Sequence, residues 1–165
     1  MTLDEELLEQ ARHLVRRERR RPRQASLRRS VSAAYYAMFH LLVREASTML
    51  ISVVEIRDRV ARAFVHGDMK QASQAFVNPQ SKQLSELTGR SDVPIDLSQF
   101  AKTFVMAQYA RNKADYDVAR TFTRVEVIDL INLVEQAFQI WHCVRTHPTA
   151  QIYLATLLFW RTWKR

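Results

Sequence analysis

The sequence is poor in the residues that build turns and covalent cross-links. Its 165 residues include two glycines, four prolines and one cysteine, Cys143. So few turn formers exclude a fold of many short strands and favour long helices. A single cysteine excludes an internal disulfide and a cysteine-based zinc cluster, so we expect a reducing, cytoplasmic environment and no metal or other cofactor. The acidic start of the chain does not resemble a secretory signal.

Helical periodicity is what the chain has in abundance. Apolar residues recur at three- and four-residue spacing, and no run alternates between apolar and polar for long enough to be a strand. We therefore predict an all-α fold. The main helices are predicted at 4–20, 24–50, 54–66, 96–113 and 124–145, with short helical turns between 68 and 95.

Local signals set the predicted helix ends. Pro22 ends the first helix, because the residue before a proline avoids the helical region. Gly67 suits a left-handed cap after the third. Thr123 and Glu126 have the spacing of a capping box at the start of the fifth, and Pro148 prevents its continuation.

Positive charge is concentrated in one segment. Nine arginines and one acid, Glu18, lie between residues 12 and 29 and account for the whole formal net charge of +8. The arginines are Arg12, Arg16, Arg17, Arg19, Arg20, Arg21, Arg23, Arg28 and Arg29. Such a cluster attracts polyanions, RNA above all. The candidate RNA-binding residues among them are Arg19, Arg20, Arg21 and Arg23. A solvated helix end, or a surface for an acidic partner protein, explains the same composition.

Two motifs point to a known family. The first, RRSVSAAYYAMFHLL at 28–42, lies on the long second helix, and the second, YARNKADYD at 109–117, lies near the end of the fourth. In residues, order and separation they resemble the HEPN family, in particular its short stand-alone members. The motif residues that carry the resemblance on the second helix are Tyr35, Tyr36, Phe39 and His40.

The resemblance covers roughly residues 5–145. It implies a bundle of four to five helices over residues 1–146, to which residues 147–165 add a short apolar C-terminal helix. It also implies an isologous homodimer with the polar motif near the dimer cleft. In this family the partner is often a minimal nucleotidyltransferase in a toxin–antitoxin or defence pair.

Active members of the family resemble metal-independent ribonucleases in which a histidine follows an arginine by four to six residues. Histidine exchanges protons near neutral pH, and arginine binds phosphate. In this chain Arg111 is followed at that spacing by Tyr116 and Asp117, and a tyrosine with an ordinary pKa near ~10 is a poor base. The candidate catalytic residues are Arg111, Tyr116 and Asp117. The candidate nucleotide-binding residues at this motif are Arg111, Asn112 and Asp115.

The same residues have structural interpretations. Arg111 and Asp115 stand four apart and form an ion pair on a helix, while Tyr116 packs by its ring. His40 serves as an interhelical hydrogen-bond partner. No histidine has metal-ligand spacing, so we expect no metal. The apolar tail, residues 152–160, is too short to span a membrane; it docks on the bundle or dimer surface, binds another protein or lies at a membrane interface.

These observations predict a dimeric HEPN-like module with a degenerate ribonuclease motif that binds RNA, a nucleotide or a partner protein. Two alternatives stay open. One is a metal-independent endoribonuclease toxin in which Tyr116 or Asp117 replaces the histidine. The other is a structural or membrane-peripheral adaptor that uses the tail.

Overall fold

A computed structural model describes residues 1–89 and 92–163. Over these ranges the chain is all α-helical, as predicted. The helices are α1 (Leu3–Arg16), α2 (Gln24–Leu50), α3 (Val54–Ala61), α4 (His66–Val77), α5 (Lys82–Leu87), α6 (Ile95–Tyr116), α7 (Arg124–Val144) and α8 (Pro148–Trp163).

The helices enclose one buried apolar cluster with α2 at its centre. Helix α2 contacts α1, α3, α6, α7 and α8, and α4 packs between α6 and α8. Because neighbours cover α2 on several sides, its apolar residues are buried around most of its circumference and not along one stripe. The cluster includes the large side chains of Tyr35, Phe76, Phe104 and Trp141. This core fixes α2 against α6, the two helices that carry the sequence motifs.

An ionic network around two buried carboxylates joins α1, α2 and the end of α7. Arg44 donates from Nε and Nη2 to the two oxygens of Asp4, each at 3.0 Å, and from Nη1 to Glu45 at 2.9 Å. Glu45 also pairs with Arg145 at 3.0 Å. Burial acts to raise the pKa of Asp4, but the hydrogen bonds and charge of Arg44 outweigh it, so this pKa lies below its usual value. The carboxylate therefore stays charged in the interior.

Helix α1 ends at Arg16, four residues before the predicted end near Arg20. The turn that replaces the last helical residues is held by contacts distant in sequence. Glu18 accepts hydrogen bonds from Ser26 Oγ at 2.8 Å and from the Arg23 amide at 3.4 Å, while Arg124 donates to its carbonyl oxygen. The prediction was wrong here because Pro22 is the only local stop signal, whereas the actual stop is made by other helices.

The prediction of one helix from Val54 to His66 with Gly67 as its cap was also wrong. Helix α3 ends at Ala61, and His66 and Gly67 form the first turn of α4. The glycine in the left-handed region is Gly89, with φ of 62°, just after α5. Each glycine stands near a helix terminus, and the sequence alone does not say which terminus it is.

The apolar tail forms α8, which Pro148 opens and which docks on α4. Tyr153 is buried, and its hydroxyl lies 2.8 Å from Ser73 Oγ. Trp160 is 4% exposed and donates from Nε1 to Gln71 at 3.0 Å. Of the three roles considered for the tail, docking on the bundle is therefore the one observed. None of the helices in the described part of the chain is long and apolar enough to span a bilayer.

Candidate functional site

Side chains at four-residue spacing on α2 contact the last turns of α6. Arg28 donates to the carbonyl oxygens of Ala114 at 2.7 Å and Asp117 at 2.9 Å, and also to that of Arg120. One turn further along α2, Ser32 donates to Asp115 at 2.6 Å. The last carbonyls of a helix lack partners within it, and Arg28 supplies a donor to that of Ala114 in α6 and to that of Asp117 just after it. The hydrogen bonds of the Arg28 side chain are therefore used to hold the fold together.

Arg111 lies one turn further along the same contact. It donates from Nη2 to the Tyr36 hydroxyl at 2.9 Å and from Nη1 to Asn112 at 3.2 Å. Its Nε lies 2.7 Å from Asp115 Oδ2, but the N–H bond is not directed at that oxygen, so this contact is an ion pair and not a hydrogen bond. Its guanidinium carbon lies 5.5 Å from the ring centroid of Tyr36 and 5.4 Å from that of Tyr116.

The Arg111 side chain is 14% exposed, and one N–H on each terminal nitrogen is left without a partner among the described residues. The predicted ion pair with Asp115 is thus present. Asn112 accepts a hydrogen bond from Arg111, and Ser32 holds the other oxygen of Asp115. Arg111 is positioned from several sides and keeps limited access to solvent.

The structure adds a histidine that lies outside both sequence motifs. His66, the first residue of α4, has Nδ1 2.6 Å from the hydroxyl of Tyr35, and its ring stacks on Phe39 with centroids 4.2 Å apart. Gln108 fixes its backbone by donating to the His66 carbonyl at 2.8 Å. Tyr36, which binds Arg111, has its ring centroid 5.9 Å from that of His66. An imidazole and a guanidinium thus flank one tyrosine.

The neutral form of His66 is favoured by its surroundings. Burial, and after it the charge of Arg111, lower its pKa from the ordinary value of 6.5. Burial also holds the pKa of Tyr35 well above its usual range, so the tyrosine keeps its proton. Nδ1 of His66 is hydrogen-bonded to the hydroxyl of Tyr35, and Nε2 has no partner in the described part of the chain.

His40 lies beside the same aromatic rings. Its centroid is 6.3 Å from that of Tyr36 and 5.3 Å from that of Phe39, and burial lowers its pKa as well. It makes no hydrogen bond among residues 1–89 and 92–163, so the expected interhelical hydrogen bond is not observed. The imidazole of this site that does form one is His66.

The two residues that follow Arg111 at catalytic spacing lie differently from it. Tyr116 is 71% exposed and contacts Arg111 by its ring. Asp117 accepts hydrogen bonds from the amides of Ala119 and Arg120, each at 3.2 Å, and pairs with Lys113 at 3.4 Å. Desolvation opposes ionisation of Asp117, but these donors outweigh it and its pKa lies below its usual value. Asp117 terminates α6 and is a weak proton acceptor.

The arginines of residues 12–29 fall into two groups, those that bind other helices and those that are exposed. Arg28 binds α6, and Arg12 pairs with Glu135 of α7. The other seven are exposed, and none is ion-paired in the described part of the chain: Arg16, Arg17, Arg19, Arg20, Arg21, Arg23 and Arg29. Five of them lie in residues 17–23, which we call the arginine loop.

The arginine loop is held in place at several points. Glu18 bonds to Ser26 and the Arg23 amide, and Arg124 Nη1 donates to the Arg19 carbonyl at 3.1 Å. Beside the loop, the side chain of Gln24 exchanges two hydrogen bonds with the backbone of Phe122, at 2.8 and 2.9 Å. The cationic side chains therefore project from a fixed backbone next to the start of α7.

No family model, curated protein or solved structure matches the chain. The resemblance to the HEPN family therefore rests on the two motifs alone. Within the described ranges, no group of three or more His, Cys, Asp or Glu side chains comes together to hold a metal ion.

Proposed function

We propose that this protein is a HEPN-like module that binds RNA through its exposed arginines. The observation that carries the proposal is the set of seven exposed arginines with no ion-paired acid among the described residues. Because the backbone is already fixed, only the arginine side chains lose conformational freedom when they bind phosphates. Because the contacts are to phosphate, the binding is driven by charge and depends weakly on RNA sequence.

The proposal includes a homodimer and, as the resemblance implies, a minimal nucleotidyltransferase as a partner. In this reading Arg111 orders the α2–α6 contact and offers its two free N–H groups to a phosphate. Light scattering at tens of micromolar tests the homodimer, which requires about twice the mass of one chain. A monomer at that concentration contradicts this part.

RNA binding is tested by fluorescence anisotropy with a labelled single-stranded RNA between about 50 and 200 mM salt. Four loop arginines are changed together to glutamine: Arg19, Arg20, Arg21 and Arg23. The affinity should fall and the slope of log affinity against log salt should decrease by about three, since each phosphate contact on a single strand contributes about 0.7.

The matched control removes the same charge from exposed positions outside the loop. These are Arg59, Arg62, Lys82 and Lys102, each changed to glutamine. A general effect of net charge weakens RNA binding equally in both variants, whereas a binding surface at the arginine loop weakens it far more in the first. Equal affinities in the two variants refute the proposal.

A second function, metal-independent RNA cleavage, is favoured by His66 beside Arg111. In the tautomer that donates Nδ1–H to Tyr35, Nε2 of His66 takes the proton of a 2′-hydroxyl. The 2′-oxygen bonds to phosphorus while the P–O5′ bond breaks, and O5′ takes a proton from His40 in its charged form. The product end is a 2′,3′-cyclic phosphate, and Arg111 offsets the charge on the phosphorane.

This mechanism predicts a pH optimum below the ordinary histidine pKa. One imidazole acts neutral and the other protonated, so the rate is highest between their two pKa values, both of which are lowered from 6.5. RNA is incubated in EDTA with His66→Gln, with His142→Gln, an exposed histidine on α7, as control. Cleavage lost only in the first supports the mechanism. Intact RNA with the unmodified protein between about pH 5 and 8 excludes it.

A further inference from the structure

Three large side chains on one face of α6 are exposed to solvent. They are Met106, Tyr109 and Tyr116, and steps of three and seven residues put them in one stripe along the helix. Tyr109 is 58% exposed, and Tyr116 is more exposed still. We call these three residues the α6 stripe. Both of its aromatic rings are open to a partner molecule.

A cation lies near the ring of each tyrosine in the α6 stripe. Nζ of Lys113 is 5.6 Å from the ring centroid of Tyr109, and the guanidinium carbon of Arg111 is 5.4 Å from that of Tyr116. Each of these cations is also paired with an aspartate of α6 or of the residue after it, so the surface is aromatic and close to neutral. A flat neutral group stacks on such rings more readily than a free anion binds there.

An open cavity of about 600 Å³ lies beside Tyr109, where α4, α6 and α7 meet. Its apolar walls include Val105, Met106 and Phe122. The charged side chains in its walls are two of each sign: Lys70, Arg120, Glu126 and Asp129. The volume is within the range for small-molecule sites. A neutral ring of the size of a nucleobase therefore has room to lie against Tyr109.

The α6 stripe and the cavity both adjoin the arginine loop. Phe122, in the cavity wall, has its backbone hydrogen-bonded to Gln24, the residue that follows the loop. One turn further along α2, Arg28 donates to the carbonyl of Ala114 in the last turn of α6, which also carries Tyr116. An RNA strand whose phosphates bind the arginine loop can therefore place its next bases on the α6 stripe.

Base pairing decides which form of RNA can use both surfaces. A charged loop binds single strands and duplexes alike through their phosphates. In a duplex the faces of the bases are stacked on one another, whereas the bases of a single strand are free to stack on aromatic side chains. The loop and the stripe together therefore match a strand with unpaired bases.

We propose that Tyr109 and Tyr116 stack unpaired bases of the bound RNA, so that part of the affinity is confined to single-stranded RNA. The inference rests on the proposed function, because the arginine loop holds the phosphates of the same strand. It names the class of RNA and adds a contact to the bases. Stacking tolerates every base, so the weak dependence on RNA sequence is kept.

The first test removes the bases from the ligand. Fluorescence anisotropy compares a single-stranded RNA with a strand of the same length made of abasic nucleotides, which keeps the phosphates. The RNA should bind at least about fivefold more tightly at equal salt, as expected for one or more stacked bases. Equal affinities for the two strands overturn the inference.

The second test removes a ring from the protein. Tyr109→Leu keeps an apolar side chain and should weaken binding of the single strand by about fivefold or more, while the abasic strand and duplex RNA bind as before. Tyr116→Leu should act in the same direction, and Tyr109→Phe, which keeps the ring, should bind as the unmodified protein does. Phe159→Leu, at an exposed ring on α8, is the control. Unchanged binding in the variant with both leucines, or an equal loss for duplex RNA, overturns the inference.

A second copy of the chain is the other occupant that an exposed aromatic stripe could take. Light scattering on Tyr109→Leu tests it, and the mass should equal that of the unmodified protein. A lower mass means that the stripe is a contact between protein chains, and it overturns the inference.

Salt dependence separates this inference from the proposed function. Tyr109→Leu should lower the affinity without changing its slope against log salt, because no phosphate contact is removed. If the variant lacking the four loop arginines binds RNA as tightly as the unmodified protein while Tyr109→Leu binds it less tightly, the arginine surface is refuted and base stacking stands. If the loop variant loses RNA and Tyr109→Leu does not, base stacking alone is refuted.

Discussion

Arg28 and Arg29 are neighbours in the same arginine-rich segment, and the structure predicts opposite consequences for removing them. Arg28 donates to four carbonyl oxygens at the end of α6 and in the loop that follows it, whereas Arg29 is exposed and unpaired among the described residues. Arg28→Gln should therefore destabilise the fold, and Arg29→Gln should not. The pair has the same substitution, the same helix and the same change of charge.

The magnitude follows from the hydrogen bonds lost by Arg28→Gln. A hydrogen bond from a charged group contributes about 1.5–3 kcal/mol, and bonds made by one side chain are not additive. Glutamine has a shorter side chain and can replace one of these hydrogen bonds, so we expect the free energy of unfolding to fall by about 2–4 kcal/mol. For a domain of this size that lowers Tm by about 4–16 °C. Arg29→Gln should stay within about 0.5 kcal/mol of the unmodified protein.

Urea unfolding followed by circular dichroism at 222 nm measures both variants, with the slope m expected to stay unchanged. RNA affinity, measured under conditions where both are folded, should reverse the order: Arg29→Gln weakens binding, and Arg28→Gln leaves it as it is. A loss below about 1 kcal/mol in Arg28→Gln, or an equal loss in both, would refute the assignment of Arg28 to the α6 terminus.

Three further predictions concern the core and the histidines. Trp160→Ala should cost about 3–5 kcal/mol in urea unfolding, because α8 loses its buried anchor; a cost below about 1 kcal/mol means that α8 does not dock as described. The free energy of unfolding should fall as pH drops through 6.5, because the folded-state pKa values of His40 and His66 lie below it and the unfolded chain binds more protons. His66→Gln should reduce that slope, and an unchanged slope contradicts the burial of His66. Tyr116→His should allow or raise RNA cleavage in EDTA, and Arg111→Lys should remove it again; cleavage that persists without the arginine rules out the motif as its source.

Local signals predicted the helices whose ends are set by their own residues. For α7, Thr123 and Glu126 form the capping box read from the sequence, and the helix begins at Arg124 as predicted. The predicted and observed bounds of α2, Gln24 to Leu50, are also the same. Both ends of α2 lie where the helical apolar pattern begins and stops, so periodicity was sufficient.

The ends that failed depend on residues far away in the sequence. The turn after α1 is held by Arg124, more than a hundred positions from Glu18, and no pattern near Arg20 reports it. Gly67 failed because a glycine suits both a helix terminus and a loop, and in this chain it lies in the first turn of α4. Composition likewise could not show which arginines bind other helices and which are exposed, because Arg28 differs from Arg29 only in the face of α2 that it occupies.

The residues of the candidate site were also only partly predictable from the sequence, because they lie far apart in the chain. The family motif places a histidine shortly after its arginine, and at that spacing this chain has Tyr116, whose ring is exposed. In space, Tyr36 contacts both Arg111 and His66, although His66 precedes Arg111 by 45 positions on another helix. A proton-transfer group need only lie within hydrogen-bond reach of the reacting atoms, whatever its place in the chain. The spacing of a motif therefore reveals only those site residues that lie close together in the sequence. The absence of a histidine at that spacing does not decide between RNA binding and RNA cleavage. Comparing RNA cleavage by the unmodified protein and by His66→Gln decides it, because the substitution removes the imidazole near Arg111 and leaves both the arginine loop and Tyr116 unchanged.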